Sequence, residues 1–333
     1  MAGSSSSNQP LNAGNLVSAA VKIYRSRLNQ FLGVAFTATL WSVPPLLAAI
    51  IPIGGTVFAT AAASDSGGLI GLPSVSAVLL GLFSVVLWLG WIGLFCFCLA
   101  KNLMNTALIS RLAYGELISQ PETIQEARGQ LNRKIWKFLR VWIFAGLFLF
   151  VASFSMNIAA AIVIAIVQKI FGEASPLTGL VSLVLNLAVL VAAYWVQARV
   201  FISEVPLAIE DNINSMDSIR RSWELSKGSA GQIITAIVIA TLITLPLSIL
   251  AFIPFILTLI ANLAQFAAVA QGEIPSSAAG IALFVSLAIS ILLVLFLGIF
   301  IIPFWQSLKA LIYFNLRGWR EGSDLQLRGN TPG

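Results

Sequence analysis

Histidine is absent from this chain, and 13 Asp and Glu residues are the only carboxylates from which chemistry can be built. They are densest at Glu204, Glu210, Asp211, Asp217 and Glu224. Metal-assisted hydrolysis would need several of these to converge on one ion and another group to handle protons. Arg220, Arg221 and Lys227 are interleaved with them, which predicts solvated ion pairs and helix caps instead. Cys96 and Cys98 stand two apart in an apolar run, where i and i+2 point to different faces of a helix, and they read as small packing residues. A zinc site, a Cys/His pair and a Ser/His/Asp triad all lack partners. The expectation is a non-enzyme with no catalytic, metal or cofactor residues.

The elements that carry these side chains are overwhelmingly apolar. Of 333 residues, 58% are hydrophobic and 10% charged, and the mean hydropathy is +0.93; soluble domains carry about 25% charged residues. Runs at 75–100, 141–167, 177–202 and 278–304 contain no Asp, Glu or Lys, and only the third holds an Arg, Arg199, near its end. Runs at 31–53 and 233–261 contain prolines but are equally free of charge. A helix needs roughly 20 residues to cross the hydrocarbon core. A charge at its centre costs about 2.5–3.5 kcal/mol, which is why the runs lack them. The fold class expected is an all-α integral membrane protein with about six transmembrane helices.

With six spans, 18 of the 19 Lys and Arg residues fall on the side shared by both termini, and Lys169 alone on the other, beside Asp65, Glu173 and Glu273. The net charges are then +8 and −2. The positive-inside rule makes the +8 side cytoplasmic, with both termini there. The opening MAGSSSSNQPLNAG has neither the basic nor the apolar region of a cleaved signal. Residues 1–15 and 323–333 are expected to be disordered tails flanking a single membrane domain at 16–322. The basic residues alternate with acids and apolar residues, without the dense basic stripe and stacking aromatics of nucleic-acid binders, so no nucleic-acid partner is expected.

A shift of 202 residues aligns ATLWSVPPLLAAIIP at 38–52 with ATLITLPLSILAFIP at 240–254, with seven of fifteen positions identical, among them Pro44 with Pro246 and Pro52 with Pro254. Apolar background does not supply two prolines at one spacing. The chain therefore reads as three helical hairpins at about 16–117, 119–211 and 215–322, the first and third forming a parallel internal repeat. A shorter amphipathic stretch precedes each hairpin. In the first, Leu16, Val17, Ala20, Ile23, Tyr24 and Leu28 share a face; the second carries Ile124, Ala127, Leu131, Ile135 and Phe138; the third carries Ile219 and Trp223. Ser119 and Glu122 have capping-box spacing, and Asn214 or Ser215 is placed to cap the third. Such helices are lead-ins to the spans, or they rest on the membrane surface with Arg25, Arg27, Arg220, Arg221, Trp223 and Lys227 contacting lipid.

Pro44, Pro45, Pro52, Pro246 and Pro254 each remove a backbone donor. They mark either structural kinks or discontinuous helices that line a groove. Asn157 with Ser153 and Ser155, Asn186, Gln197, and Asn262 with Gln265 are the candidates for interhelical hydrogen bonds.

The stretch Glu204 to Ala240, with Glu210, Ile219, Ser222, Trp223, Leu225 and Gly228 in place, resembles the signature of the bacterial membrane-domain family typified by the membrane domain of glycerophosphodiester phosphodiesterases. Residues 16–33 resemble that family's opening helix. The resemblance implies a polytopic protein of a bacterial inner membrane. Where that family hydrolyses diesters it does so through a separate domain using His, acids and a divalent metal, and this sequence shows no such domain and no His, so the resemblance does not imply the activity. The leading functional expectation is an accessory, scaffold or lipid-environment protein whose partners are membrane lipids and other membrane proteins. The alternative is a transporter or channel for a lipid-like or small solute, which a water-accessible cavity reaching the midplane would favour. An intramembrane enzyme ranks third.

Overall fold

A computed structural model describes residues 12–56, 75–269 and 277–329. Every regular element among them is helical: α1 (Ala13–Ser26), α2 (Leu28–Leu40), α3 (Val43–Ala48), α4 (Val75–Leu117), α5 (Ile124–Asn132), α6 (Ile135–Phe171), α7 (Pro176–Val200), α8 (Glu204–Ile209), α9 (Ser215–Leu225), α10 (Ala230–Ala261), α11 (Leu263–Val269) and α12 (Ser277–Gly329). Six stretches are long and apolar enough to cross a membrane: Leu28–Thr56, Val78–Leu117, Ile135–Phe171, Pro176–Ile209, Ala230–Ala261 and Ala278–Glu321. The chain is an all-α, multi-pass membrane protein.

Helix length separates two zones. At 1.5 Å per residue, the 43 residues of α4 extend about 65 Å and the 53 of α12 about 80 Å, against a hydrocarbon core of roughly 30 Å. The C-terminal turns of both helices therefore protrude at one end, where nearly all the basic residues lie. The fully buried side chains gather at this basic end. One cluster joins Leu16, Val17, Ile233, Leu308 and Ile312, and a second joins Phe31, Met104, Leu108, Leu131 and Leu207. Within the spans, large apolar side chains such as Leu82, Phe150, Leu183 and Val191 face outward instead. Outward is favourable there, because lipid is as apolar as leucine.

α2 packs on α4, α6 on α7 and α10 on α12, while α12 also contacts α1, α2 and α4. α6 and α7 are the least enclosed. In the most apolar window of Pro176–Ile209 none of the residues is buried, against 28% in Ala230–Ala261.

The short helices α1, α5 and α9 precede the spans. α1 turns Leu16, Val17 and Ala20 inward and leaves Lys22 and Arg25 exposed. Two caps differ from expectation. Ser119 does not start the second lead-in; it closes α4 in the left-handed region at φ 58°, with its own N–H bonded to Glu116 O and that of Gln120 to Gly115 O. That is the Schellman pattern. Gly115 is required by it, since a Cβ there would sit 2.9 Å from Gln120 O. The capping box is formed four residues later by Thr123 and Glu126, while Glu122 is held by Arg111. Asn214 stands at the start of α9 without a side-chain cap, and the Ser215 hydroxyl donates to Lys137 O instead.

Both tail boundaries move. α1 begins at Ala13, which is buried, and α12 continues helically to Gly329, because extending an existing helix is far easier than nucleating one. Asp65 and Glu273 lie outside the described residues. The span amides also differ from expectation. Asn157, Asn186 and Asn262 donate to Ser153, Ser182 and Thr258 carbonyls four residues back in the chain; Asn157 and Asn186 are exposed, so no neighbouring helix competes for them.

Candidate functional site

The five prolines behave unequally. The first span breaks at Trp41 and Ser42, where helical i→i−4 bonding gives way to Trp41 N–H to Ala38 O and Ser42 N–H to Thr39 O. Pro44 and Pro45 cause it by removing two consecutive donors. Helix resumes as α3, interrupts again at Ala49 and continues over 50–56, with Pro52 near the start of that turn, where its missing N–H is tolerated. α10, by contrast, runs unbroken through Pro246 and Pro254. Of the two alternatives, discontinuity is absent at these positions, for a reason visible in the alignment: Leu247 stands where Pro45 does, so only one donor is lost at a time.

The second span braces the first at this break. Asn102 Nδ2 donates to Ala38 O at 2.8 Å and to Ser42 Oγ at 3.1 Å, and Trp91 Nε1 donates to Pro45 O at 2.8 Å. Both carbonyls also accept a backbone N–H, from Trp41 and Ala49, so these side chains add cross-links between the two spans at the break. Beside the break lies an apolar cavity of about 170 Å³ whose lining includes Trp41, Pro45, Leu46, Trp91 and Phe95. Of the five prolines, Pro45 is thus the one that lines a cavity at a break; Pro44 is exposed beside it.

At the basic end the charged residues are drawn into a connected network. Ser110 Oγ donates to Gln306 Oε1, Gln306 Nε2 donates to Glu204 Oε1 at 2.9 Å, and Lys309 Nζ donates to the same oxygen at 2.8 Å. Arg111, nearly buried, donates Nε and Nη2 to the two oxygens of Glu122 at 2.7 and 2.9 Å, Nη2 also to Gln130 Oε1, and Nη1 to Ala208 O at 3.0 Å. Lys134 Nζ donates to Leu207 O and Glu210 O, and Lys137 Nζ to Ile213 O. Arg111 and Lys134 answer a local problem, whereas Lys137 holds the chain further on, at Ile213. The six residues of α8 are too few to be stable alone, and its last carbonyls need partners that positive side chains supply well. Burial pulls the Lys134 ammonium below its ordinary pKa, with Asp211 pulling the other way.

Glu210 accepts from the Tyr313 hydroxyl and lies 3.5 Å from Arg221, which also pairs with Glu321. The acidic group therefore divides: Arg220 and Glu224 form the exposed pair expected, whereas Glu204 and Glu210 are half-buried and tie α8 to α12 and α9. Sequence spacing did not point to this, because Glu204 and Glu210 meet partners about a hundred residues away.

The six residues read as interface or lipid contacts also separate. Arg27 is paired with Glu116. Arg221 is turned inward, as above. Trp223 packs edge-on against Phe148 and Trp195, with the Arg199 guanidinium 5.3 Å over its ring. Arg25, Arg220 and Lys227 are exposed. Asn102, Trp91, Arg111 and Tyr313 were not singled out by sequence; the one local signal was the polar pair Lys101–Asn102 ending an apolar run. Comparison with known proteins finds no matching family model, no matching curated protein and no matching solved structure.

Proposed function

We propose that this chain is a non-enzymatic, multi-pass membrane component with an accessory, scaffold or lipid-environment role. The observation that carries the reading is that the two half-buried acids of the group are committed to structural bonds, Glu204 to Lys309 and Gln306 and Glu210 to Tyr313 and Arg221, while Glu224 pairs with Arg220 at the surface. Among the described residues no cluster of three or more His, Cys, Asp or Glu is placed to hold a metal. The resemblance of 204–240 to a membrane domain that accompanies other activities supports the same role. The charge distribution supports cytoplasmic termini, and the resemblance supports a bacterial inner membrane. α1, α5 and α9 support a three-hairpin organisation, while the unequal response to Pro45 and Leu247 counts against a strict repeat.

Purified protein is expected to hydrolyse no glycerophosphodiester, with or without added divalent metal. Metal-dependent turnover lost in Glu210→Gln or Asp211→Asn would overturn the reading. A second reading, a transporter or channel for a lipid-like or small solute, draws on the broken first span and the apolar cavity beside it. Solute flux into vesicles carrying the protein, abolished by filling that cavity with Ala49→Phe, would favour it.

A further inference from the structure

A second cavity, of about 450 Å³ and open to the outside, lies between α1, α10 and α12. Its size falls in the roughly 300–1,000 Å³ range of ligand clefts. Ile243, Leu247, Phe300 and Phe304 wall it, and Tyr24 and Arg25 from the last turns of α1 stand among them as its polar groups, with Thr244. Thr244 is already engaged, its hydroxyl donating to Ala240 O at 3.0 Å. Arg25 is not. It makes no ion pair or side-chain hydrogen bond among the described residues, unlike Arg27 two positions on, which is held by Glu116.

The chemistry of this lining selects its occupant. Chain connectivity places Arg25: α1 ends at Ser26 and the first span begins at Leu28, so it lies at the basic-end entry to that span, beside walls formed by residues 243–247 of α10 and 300–304 of α12. An unpaired guanidinium at that entry calls for a phosphate, and the apolar walls beside it call for a hydrocarbon chain. No carboxylate lines the cavity, so nothing there receives the ammonium of a zwitterionic headgroup.

We infer that this groove is a binding site for one anionic phospholipid of the basic-end leaflet, its phosphate on Arg25 and one acyl chain between α10 and α12. The inference gives the lipid-environment reading a ligand and rests on its membrane placement.

The full-length protein, reconstituted in equal phosphatidylglycerol and phosphatidylcholine of matched acyl chains, is released from the bilayer and the lipids it retains are counted by native mass spectrometry. Phosphatidylglycerol is expected to be retained several-fold over phosphatidylcholine. Arg25→Gln is expected to lower that preference about fivefold, the effect of one basic residue at a membrane surface, and Arg25→Lys to keep most of it. Lys22→Gln, exposed on the same helix but outside the groove, should change it less than about twofold, since that charge contributes only through the screened field. Leu247→Trp, which fills the groove, should remove the retained lipid of either class, and inorganic phosphate should not displace it. Equal retention of the two lipids overturns the inference. So does a loss with Lys22→Gln as large as with Arg25→Gln, retention that survives Leu247→Trp, or displacement by inorganic phosphate. Each of these leaves the hydrolysis test untouched, so the inference and the non-enzyme reading fail separately.

Discussion

Leu108 and Leu183 are both leucines in long helices, yet Leu108 is 0% exposed and Leu183 is 61% exposed. Leu108 belongs to the basic end, where α2, α4, α5 and the segment after α7 close around a core in contact with an aqueous phase. Leu183 belongs to α7 in the hydrocarbon zone, where its outward face meets lipid. Removing apolar surface from water stabilises the first site, whereas the second gains almost nothing from being covered by protein instead of lipid. Membrane insertion and tertiary structure are thus specified in different parts of the chain. The spans place it in the bilayer, and the basic end decides which helix lies beside which.

The sharpest way to break this comparison is to truncate both leucines. Leu108→Ala is expected to cost about 2–5 kcal/mol, and Leu183→Ala to stay within about 0.5 kcal/mol, both read from unfolding in mixed micelles. A large cost at Leu183 would mean that the outer face of α7 is covered by another protein in the functional assembly, which would sharpen the scaffold reading.

A smaller effect is expected from Arg111→Gln. Removing one partner of a buried pair costs about 3–5 kcal/mol, and the partial exposure of Glu122, whose side chain is 37% exposed, reduces this to about 2–3 kcal/mol. The same unfolding assay checks it, and limited proteolysis should show the loss first between α8 and α9. Equal destabilisation by Arg128→Gln, which has no ion pair among the described residues, would refute the special position of Arg111.

The smallest effect concerns the start of α5. The Thr123 hydroxyl and backbone hold the Glu126 carboxyl below its ordinary pKa of 4.5. A carboxylate depressed on folding contributes stability that is fully present above its unfolded value and is lost as pH falls through the folded one. Protection of the α5 amides against hydrogen exchange should therefore decline below about pH 4.5, after correction for intrinsic exchange rates, and the decline should vanish in Glu126→Gln. Unchanged protection in the native chain across that window would show the box to be without consequence.

Much of the architecture was legible from composition. Uninterrupted apolar runs of sufficient length can satisfy their backbones in lipid only as helices, so the number and class of the spans follow from residues such as those at 141–167 without any knowledge of their neighbours. The amphipathic face of α1 was equally legible, because Leu16, Val17 and Ala20 recur at helical spacing within a few residues. The candidate site was legible only in part. Pro44 and Pro45 announce a lost pair of donors locally, but Asn102, which braces the break, lies 64 residues from Ala38.

Short-range physics thus determined that this chain is helical, that it crosses a membrane about six times and that its positive charge is sorted to one end. Only the tertiary structure decided that Asn102 reaches Ala38, that Arg111 reaches Ala208, and that Glu204 and Glu210 bind Lys309 and Tyr313 instead of solvent. Periodicity, hydropathy and charge sorting act over one or two turns and are written in neighbouring residues. Which carboxylate meets which cation is set by how helices pack across separations of about a hundred residues, and a linear pattern carries no record of that.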